Sequence, residues 1–98
     1  MKATYRISEK ALDDIDKIWL YTLENWSLNQ ADRYYRLIYQ EIEYVVEYFE
    51  SGKDIGKIKS GYRQVKVTSH LIIYKKADDG VVEIVRVLHQ RMDIPNRL

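Results

Sequence analysis

The stretch "GYRQVKVTSHLIIYKKADDGVVEIVRVL" (61–88) decides the fold. It contains three runs rich in β-branched and aromatic residues, at 62–67, 70–76 and 81–88, which is the pattern of β-strands. The segments "TS" and "ADDG" separate these runs, and Asp79-Gly80 is a strong signal for a hairpin turn. The sequence therefore predicts three strands that follow one another through two tight turns.

Two amphipathic helices precede these strands. Ser8 stands at an N-cap position before a helix of about 17 residues, and Ser27 with Gln30 forms a capping-box pattern before a second helix that ends near Gly52. Apolar residues recur at three-and-four spacing in both segments. The first stripe is Ala11, Leu12, Ile15, Ile18, Trp19, Thr22 and Trp26, and the second is Ala31, Tyr34, Tyr35, Ile38, Ile42, Val45 and Phe49.

A short strand at 3–8, with Tyr5 and Ile7 on one face, opens the chain. A loop rich in glycine and lysine (50–61) joins the second helix to the strands. The order β-α-α-β-β-β predicts an α+β fold in which an antiparallel sheet carries the helical hairpin on one face. The length of the chain fits a single domain over residues 1–98.

Composition restricts the classes of protein to consider. The absence of cysteine excludes disulfides and thiolate sites, and no apolar run approaches the roughly 20 residues of a membrane helix. The first fifteen residues are too charged for a signal peptide, so we expect a cytoplasmic protein. Residues 1–49 carry six Lys/Arg and nine Asp/Glu, whereas residues 50–98 carry ten and six. This asymmetry indicates two halves with different neighbours.

The second helix has more apolar surface than one packing contact requires, since a single interface needs an arc of roughly 100°. One interpretation is that the helix contacts both the sheet and the first helix. The other is that part of the surplus forms a surface that binds a protein, because tyrosine buries area while retaining a polar group. The residues in question are Leu37, Tyr44 and Tyr48 on one side, Tyr39 and Val46 on the other, and Leu20 of the first helix.

The last strand ends in polar residues, His89 to Asp93. Alternation places Arg63 or Lys66 on the sheet face that the helices leave uncovered, with His89 and Arg91 at the end of the last strand. A cationic patch beside an imidazole suits phosphodiester cleavage. The alternative is a solvated sheet face with one surface histidine, and we expect His70 to be structural or exposed. The sequence has no phosphate-binding loop, no recognisable metal cluster and no serine-nucleophile motif.

Four blocks resemble the ParE branch of the RelE/ParE toxin superfamily: "YRISEKALDDIDKIWLYT", "NQADRYY", "GYRQVKVTSHLIIY" and "EIVRVLHQRMD". The resemblance covers nearly the whole chain in the same order. It implies a toxin of a type II toxin–antitoxin system that inhibits DNA gyrase, without a cofactor or metal. It also implies a hetero-oligomer with a ParD-like antitoxin, whose DNA-binding part would provide the only contact with operator DNA.

The resemblance also guides the assignment of surfaces. We expect a target-binding set of Arg63, Arg86, His89, Arg91, Met92 and Asp93, in which Arg86 either faces the target or is salt-bridged to support the sheet. The expected antitoxin-binding set is Leu20, Leu37, Tyr39, Tyr44, Val46 and Tyr48.

Two alternatives remain open at this point. A RelE-like, ribosome-dependent mRNA endonuclease would use Arg63, His89 and Arg91 as catalytic residues, but the tail "MDIPNRL" lacks the tyrosine that such enzymes can use. An inactive module that binds only its antitoxin is the other.

Overall fold

The computed structural model describes residues 4–98. Its α+β order is the expected one, with three short elements added. The elements are β1 (Tyr5–Ile7), α1 (Glu9–Asn25), α2 (Leu28–Glu47), a 3-10 turn (Phe49–Ser51), β2 (Lys53–Asp54), β3 (Arg63–Val67), β4 (His70–Lys76), β5 (Val82–His89) and α3 (Ile94–Arg97). Residue 3, where the first strand was predicted to begin, lies outside the described residues.

The two helices begin at the predicted caps. Ser8 Oγ accepts a hydrogen bond from the amide of Ala11 at 3.0 Å, and Ser27 Oγ accepts one from the amide of Gln30 at 3.1 Å. These bonds satisfy amide groups that have no partner in the first turn of a helix. Over the described part of the chain, no helix combines the length and apolarity that a membrane span requires.

The sheet has the strand order β1-β5-β4-β3-β2. The β3–β4 and β4–β5 pairs are antiparallel, as expected, but β1 pairs parallel with β5, so the sheet is mixed. A parallel pair requires a long connection, and here the helical hairpin and the middle strands supply it. The predicted loop 50–61 contributes the edge strand β2, which pairs Lys53 with Gln64.

The helix-side core lies between the hairpin and the sheet. Inward residues of α1 and α2 pack there against Val67, Ile72, Tyr74, Ile84 and Val87. Three residues of the predicted helical stripes are instead exposed: Leu12, Tyr35 and Trp26. Trp26 is 75% exposed because α1 ends at Asn25, and the indole therefore lies beyond the last helical turn.

The other face of the sheet is not the solvated cationic surface that alternation predicted. A second apolar cluster occupies it, formed by Ile55, Tyr62, Ile73, Leu88 and Ile94. The loop before β3 and the tail after β5 therefore cover this face. The tail is part of the core, because α3 buries Ile94 against the sheet.

An ion pair joins α1 to β5 where β1 ends. Asp14 Oδ2 accepts hydrogen bonds from Arg86 Nε at 2.8 Å and from the amide of Val87 at 3.0 Å, and Asp14 Oδ1 accepts one from Arg86 Nη2 at 2.9 Å. The side chains of Arg86 and Asp14 are only 16% and 12% exposed. Bidentate arginine–carboxylate pairs are among the strongest hydrogen-bonded contacts in proteins. Hydrogen bonding to Asp14 also raises the pKa of Arg86.

The Asp14–Arg86 pair completes the sheet edge. β1 pairs with β5 only as far as Ile84, and Ser8 extends the contact by donating from its amide to Ile84 and from its hydroxyl to the carbonyl of Val85. Beyond that point, residues 4–98 provide no strand on this side for the Val87 amide. A buried amide without a partner costs about 1–3 kcal/mol, so the Asp14 carboxylate takes the place of a strand.

We predict that Asp14→Ala lowers the free energy of unfolding by about 3 kcal/mol, because it leaves Arg86 and the Val87 amide without their shared acceptor. Asp13→Ala is the matched control. Asp13 occupies the adjacent helical position but pairs with Lys17 on the surface, where both side chains are more than half exposed. Its removal should change stability by less than about 0.5 kcal/mol. Urea unfolding followed by circular dichroism measures both, and equal effects would contradict the prediction.

Candidate functional site

A groove of about 840 Å³ lies between α1, the beginning of α2 and the adjoining ends of β4 and β5. Asp14 of the ion pair with Arg86 lines it together with Val87 and His89 of β5. The groove is lined by Asp14, Lys17, Ile18, Tyr21, Thr22, Trp26, Gln30, Tyr34, Ser69, His70, Val87, His89 and Met92. A concave surface with aromatic walls and a few polar groups is the usual form of a binding site.

The two histidines of the protein meet in this groove. His70 and His89 are partners in the β4–β5 register, and their ring centres are 5.2 Å apart in an edge-to-face arrangement. Tyr34 Oη lies 2.6 Å from His70 Nδ1. Burial, with a smaller contribution from His89, lowers the pKa of His70 to about 4. His70 is therefore neutral at pH 7, and we expect it to act as a hydrogen-bonding group rather than a cation.

His89 has a fixed orientation at the end of β5. Its Nδ1 accepts a hydrogen bond from the amide of Arg91 at 3.1 Å. Because this bond makes Nδ1 an acceptor, the neutral ring carries its proton on Nε2. Within residues 4–98 no group of three histidine or acidic side chains is placed to hold a metal ion.

The outer rim of the groove is aromatic. Trp26 and Tyr21 are 75% and 64% exposed, and Met92 is exposed beside His89. Side chains of this kind bind proteins well because they offer a large apolar area and a polar or polarizable atom.

The structure divides the expected target-binding set. His89 and Met92 line the groove, but Arg86 is held by Asp14, which is the supporting role that the sequence left open for it. Arg63 shares the helix side of β3 with Val65 and Val67 and donates to the carbonyl of Gly52 at 2.8 Å. Of the two residues predicted for the uncovered face, Arg63 or Lys66, Arg63 is therefore on the helix side, and alternation along β3 leaves Lys66 on the opposite face.

Arg91 and Asp93 are exposed in the segment after β5. They form no ion pair with each other in the described residues, and Asp93 instead accepts a hydrogen bond from Asn96. Arg91 therefore presents a free guanidinium close to His89 and Met92. Of residues 89 and 91–93, His89 and Met92 line the groove, and Arg91 and Asp93 are exposed next to them in the chain.

The expected antitoxin-binding set is also divided. Leu20, Leu37, Tyr44 and Tyr48 are exposed, and the rings of Tyr44 and Tyr48 contact each other at 4.9 Å. Tyr39 is half-buried against Tyr35, and burial raises the pKa of Tyr39 to about 12. Val46 is only 7% exposed and belongs to the helix-side core, so its expected exposure is wrong. It lies four residues after Ile42 and eight after Ile38, on the buried face of α2.

Comparison with known proteins identifies the family. Residues 5–94 match the family described as the ParE toxin of the type II toxin-antitoxin system parDE. The chain belongs to the ParE toxin family. It is 33% identical to Toxin ParE1 of Mycobacterium tuberculosis over 98 residues, which is the full length of both chains. It is 39% identical to Toxin ParE1 of Caulobacter vibrioides over 90 residues, or 91% of each chain.

The fold is also that of a solved ParE-type structure. A chain from the structure titled "Chromosomal ParDE TA system from P. aeruginosa" superposes with a TM-score of 0.76, covering 90% of this chain and 96% of that chain. The sequence identity is 13%, so this likeness concerns the fold. The predicted ParE membership and the α+β architecture are both confirmed.

Several residues of the groove were not singled out from the sequence. The sequence places Tyr34 and Trp26 in the apolar stripes of the two helices, and it predicts a structural or exposed His70. Asp14 read as one of several acidic residues on the polar face of the first helix. A usable signal for the two histidines was present, because two strands joined by a short turn place 70 and 89 near the same end of the sheet.

We predict a pH dependence of stability that originates at His70. The unfolded chain takes up a proton near pH 6.5, whereas the folded chain resists it until about pH 4, so stability falls as pH decreases through this interval. Between pH 7 and 5 the loss should be about 1 kcal/mol, allowing for partial exposure. His70→Gln should remove most of this loss in urea titrations, whereas His89→Gln should retain it, since burial is the larger cause. The same pH profile in wild type and His70→Gln would contradict the assignment.

Proposed function

We propose that this ParE family toxin inhibits DNA gyrase and is neutralised by a ParD-like antitoxin that covers its exposed apolar surface. The observation that carries the proposal is the match to the ParE family over residues 5–94. The groove and the exposed aromatic residues add a physical basis, because a toxin must offer one surface to its inhibitor and another to its target. We place both encounters in the cytoplasm.

The antitoxin would occupy the hairpin surface. Leu37, Tyr44 and Tyr48 follow one another along α2 at spacings of seven and four, so they form one exposed stripe on that helix. Tyr21 and Trp26 offer a second apolar region at the rim of the groove. A segment that folds on binding requires apolar anchors of this kind to offset the entropy it loses.

The target would meet the end of the groove. His89 ends β5, and Arg91, Met92 and Asp93 are exposed just after it, so a cation lies between an imidazole ring and a thioether along the chain. This mixture of charge and apolar area is typical of a protein-binding surface. In this proposal the toxin acts by binding gyrase together with cleaved DNA, not by a chemical step of its own.

The nuclease alternative is less well supported by the geometry. Arg63 pairs with Tyr74 while His89 pairs with His70, four residues further along the same strand. At about 3.3 Å per residue, the two backbones are separated by roughly 13 Å along the sheet. Arg63 is also engaged with main-chain carbonyls of residues 50 and 52. A shared site of Arg63, His89 and Arg91 is therefore not assembled, which weighs against a RelE-like mRNA endonuclease.

The direct test is a gyrase assay with purified protein. We expect the toxin to inhibit supercoiling and to increase cleaved DNA, and the cognate antitoxin to reverse both effects. Induction of the toxin alone should arrest growth and give filamentous cells with a DNA-damage response. Unchanged supercoiling with cleavage of ribosome-bound mRNA would favour the nuclease, and normal growth without either effect would favour the inactive module.

Substitutions separate the two surfaces. We predict that Arg91→Ala raises the concentration for half-maximal gyrase inhibition by about tenfold, which is the loss of one good interfacial contact. Antitoxin binding should stay unchanged in this variant. The double variant Tyr44→Ala, Tyr48→Ala should weaken antitoxin binding in calorimetric titration. It should leave gyrase inhibition unchanged in the supercoiling assay. If Arg91→Ala instead impairs antitoxin binding and leaves inhibition intact, the two surfaces have been assigned the wrong way round.

Point substitutions suit this purpose better than removal of the tail. Residues 92–98 include Ile94, which is buried against the sheet, and the carbonyl of Arg97, which accepts a hydrogen bond from Arg86. Deletion of the tail would therefore destabilise the fold as well as remove Met92 and Asp93.

A further inference from the structure

Four cations surround one end of the sheet, at the opposite end of β4 from His70: Lys59, Arg63, Lys75 and Lys76. We call this group the cationic end. It is arranged around two aromatic rings on opposite faces of the sheet, with Phe49 on the helix side and Tyr62 on the other face, so the four cations border the end of the sheet from both sides. Lys59 Nζ and Lys75 Nζ lie 5.3 and 5.5 Å from the centre of the Tyr62 ring. Lys76 Nζ and Arg63 Cζ lie 4.7 and 5.7 Å from the centre of the Phe49 ring.

Within residues 4–98 the four cations of the cationic end form no ion pair with another side chain closer than 4.0 Å, although Glu83 is the cross-strand partner of Lys75 and Asp54 that of Arg63. In this part of the chain, the ion pairs between side chains closer than 4.0 Å involve Arg6, Lys17 and Arg86 instead. Arg63 donates to the carbonyl oxygens of Glu50 and Gly52, and Lys59 donates to the main-chain oxygen of Leu98 at 3.3 Å. The four side chains are therefore held in position mainly by rings and main-chain oxygens.

Contact with an aromatic face has a particular consequence for a cation. The ring attracts the cation and restricts its side chain, but the ring carries no net charge to cancel it. The cationic end thus combines ordered side chains with a positive charge that Glu83 and Asp54, opposite Lys75 and Arg63 in the strand register, offset only in part. The chain is also polarised, because residues 1–49 have a net charge of −3 and residues 50–98 one of +4. A polyanion would approach through the second half of the chain.

We propose that the cationic end binds the sugar–phosphate backbone of duplex DNA without reading its sequence. Phosphate contacts by Lys and Arg are the usual source of such binding. Single-stranded nucleic acid is a poorer fit, because its recognition relies on open aromatic faces for base stacking. Here Tyr62 is only 7% exposed, and both rings already contact cations.

This inference goes beyond the proposed function, in which DNA is contacted by gyrase and by the antitoxin. It would place the toxin directly on the DNA that gyrase holds, with the groove and residues 89–93 turned towards protein. The test contains no gyrase, so a failure to bind DNA would leave the gyrase proposal standing. In the same way, a failure to inhibit gyrase would leave the DNA-binding proposal standing.

The test is fluorescence anisotropy of a labelled 20-base-pair duplex of arbitrary sequence, titrated with the full chain between 50 and 200 mM NaCl. If four cations contact phosphates, a plot of the logarithm of the binding constant against the logarithm of the salt concentration should have a slope of about −3.6. The affinity should then fall about 150-fold over this range. Lys59→Gln with Lys75→Gln should reduce the slope to about −1.8, or about 12-fold. The double variant Lys59→Gln, Lys76→Gln removes one cation from each ring and should reduce the slope to the same value.

The matched control is Lys10→Gln with Arg36→Gln, which removes the same charge from exposed positions of α1 and α2. It should leave the slope near that of the wild type. Circular dichroism melts establish that each variant is folded. Failure to bind at 50 mM salt, or an equal reduction in the control, would overturn the proposal. Tighter binding of a labelled polyglutamate of equal charge would also overturn it and identify the surface as one for acidic proteins.

Discussion

The ion pair between Asp14 and Arg86 fixes the relation between the helical hairpin and the sheet. One carboxylate accepts two hydrogen bonds from the guanidinium and a third from the Val87 amide. A contact is needed there because β1 is only three residues long, so that among the described residues the second half of β5 pairs with β4 on one side and with no strand on the other. A side chain from α1 takes over where the strand stops. The gap that remains between α1 and the strand ends is the groove.

This arrangement divides the toxin into regions with different chemistry. The hairpin and the groove present aromatic and aliphatic side chains, and the groove includes a histidine that stays neutral at physiological pH. The opposite end of β3 and β4 presents cations on aromatic rings. An apolar surface suits an inhibitor that folds along it, whereas a cationic end suits a polyanion. Because the regions are far apart along the strands, one toxin has room for an antitoxin, a protein target and DNA on separate surfaces.

Much of the fold follows from local rules in the sequence. The serine caps, the helical periodicity and the Asp79-Gly80 turn are short-range signals, and each led to the correct element. The positions of side chains were harder to predict. A bulge beside Ile73 and Tyr74 shifts the β4–β5 register, so Val85 packs with Leu88 instead of with Val87. Alternation along a strand cannot anticipate such a shift.

The site was predicted only in part for a similar reason. The groove does include His89, at the end of β5, and Met92 just after it. The predicted exposure of Val46 is wrong, and Arg63 lies on the helix side of β3, since exposure depends on which neighbours the tertiary structure supplies. The Asp14–Arg86 pair joins residues 72 positions apart, and many other acidic residues on the same helix face looked equivalent. Resemblance to the ParE family identified the class of protein, whereas long-range contacts determined which side chains remain available.

The most direct test of this account is a double-mutant cycle with Asp14→Ala, Arg86→Ala and the combined variant, measured by equilibrium urea unfolding. If the pair joins hairpin to sheet, the two substitutions should be strongly non-additive, with a coupling free energy of about 2 kcal/mol. Additivity to within about 0.3 kcal/mol would contradict the account, because it would show that the two side chains do not act as a pair in holding the hairpin on the sheet.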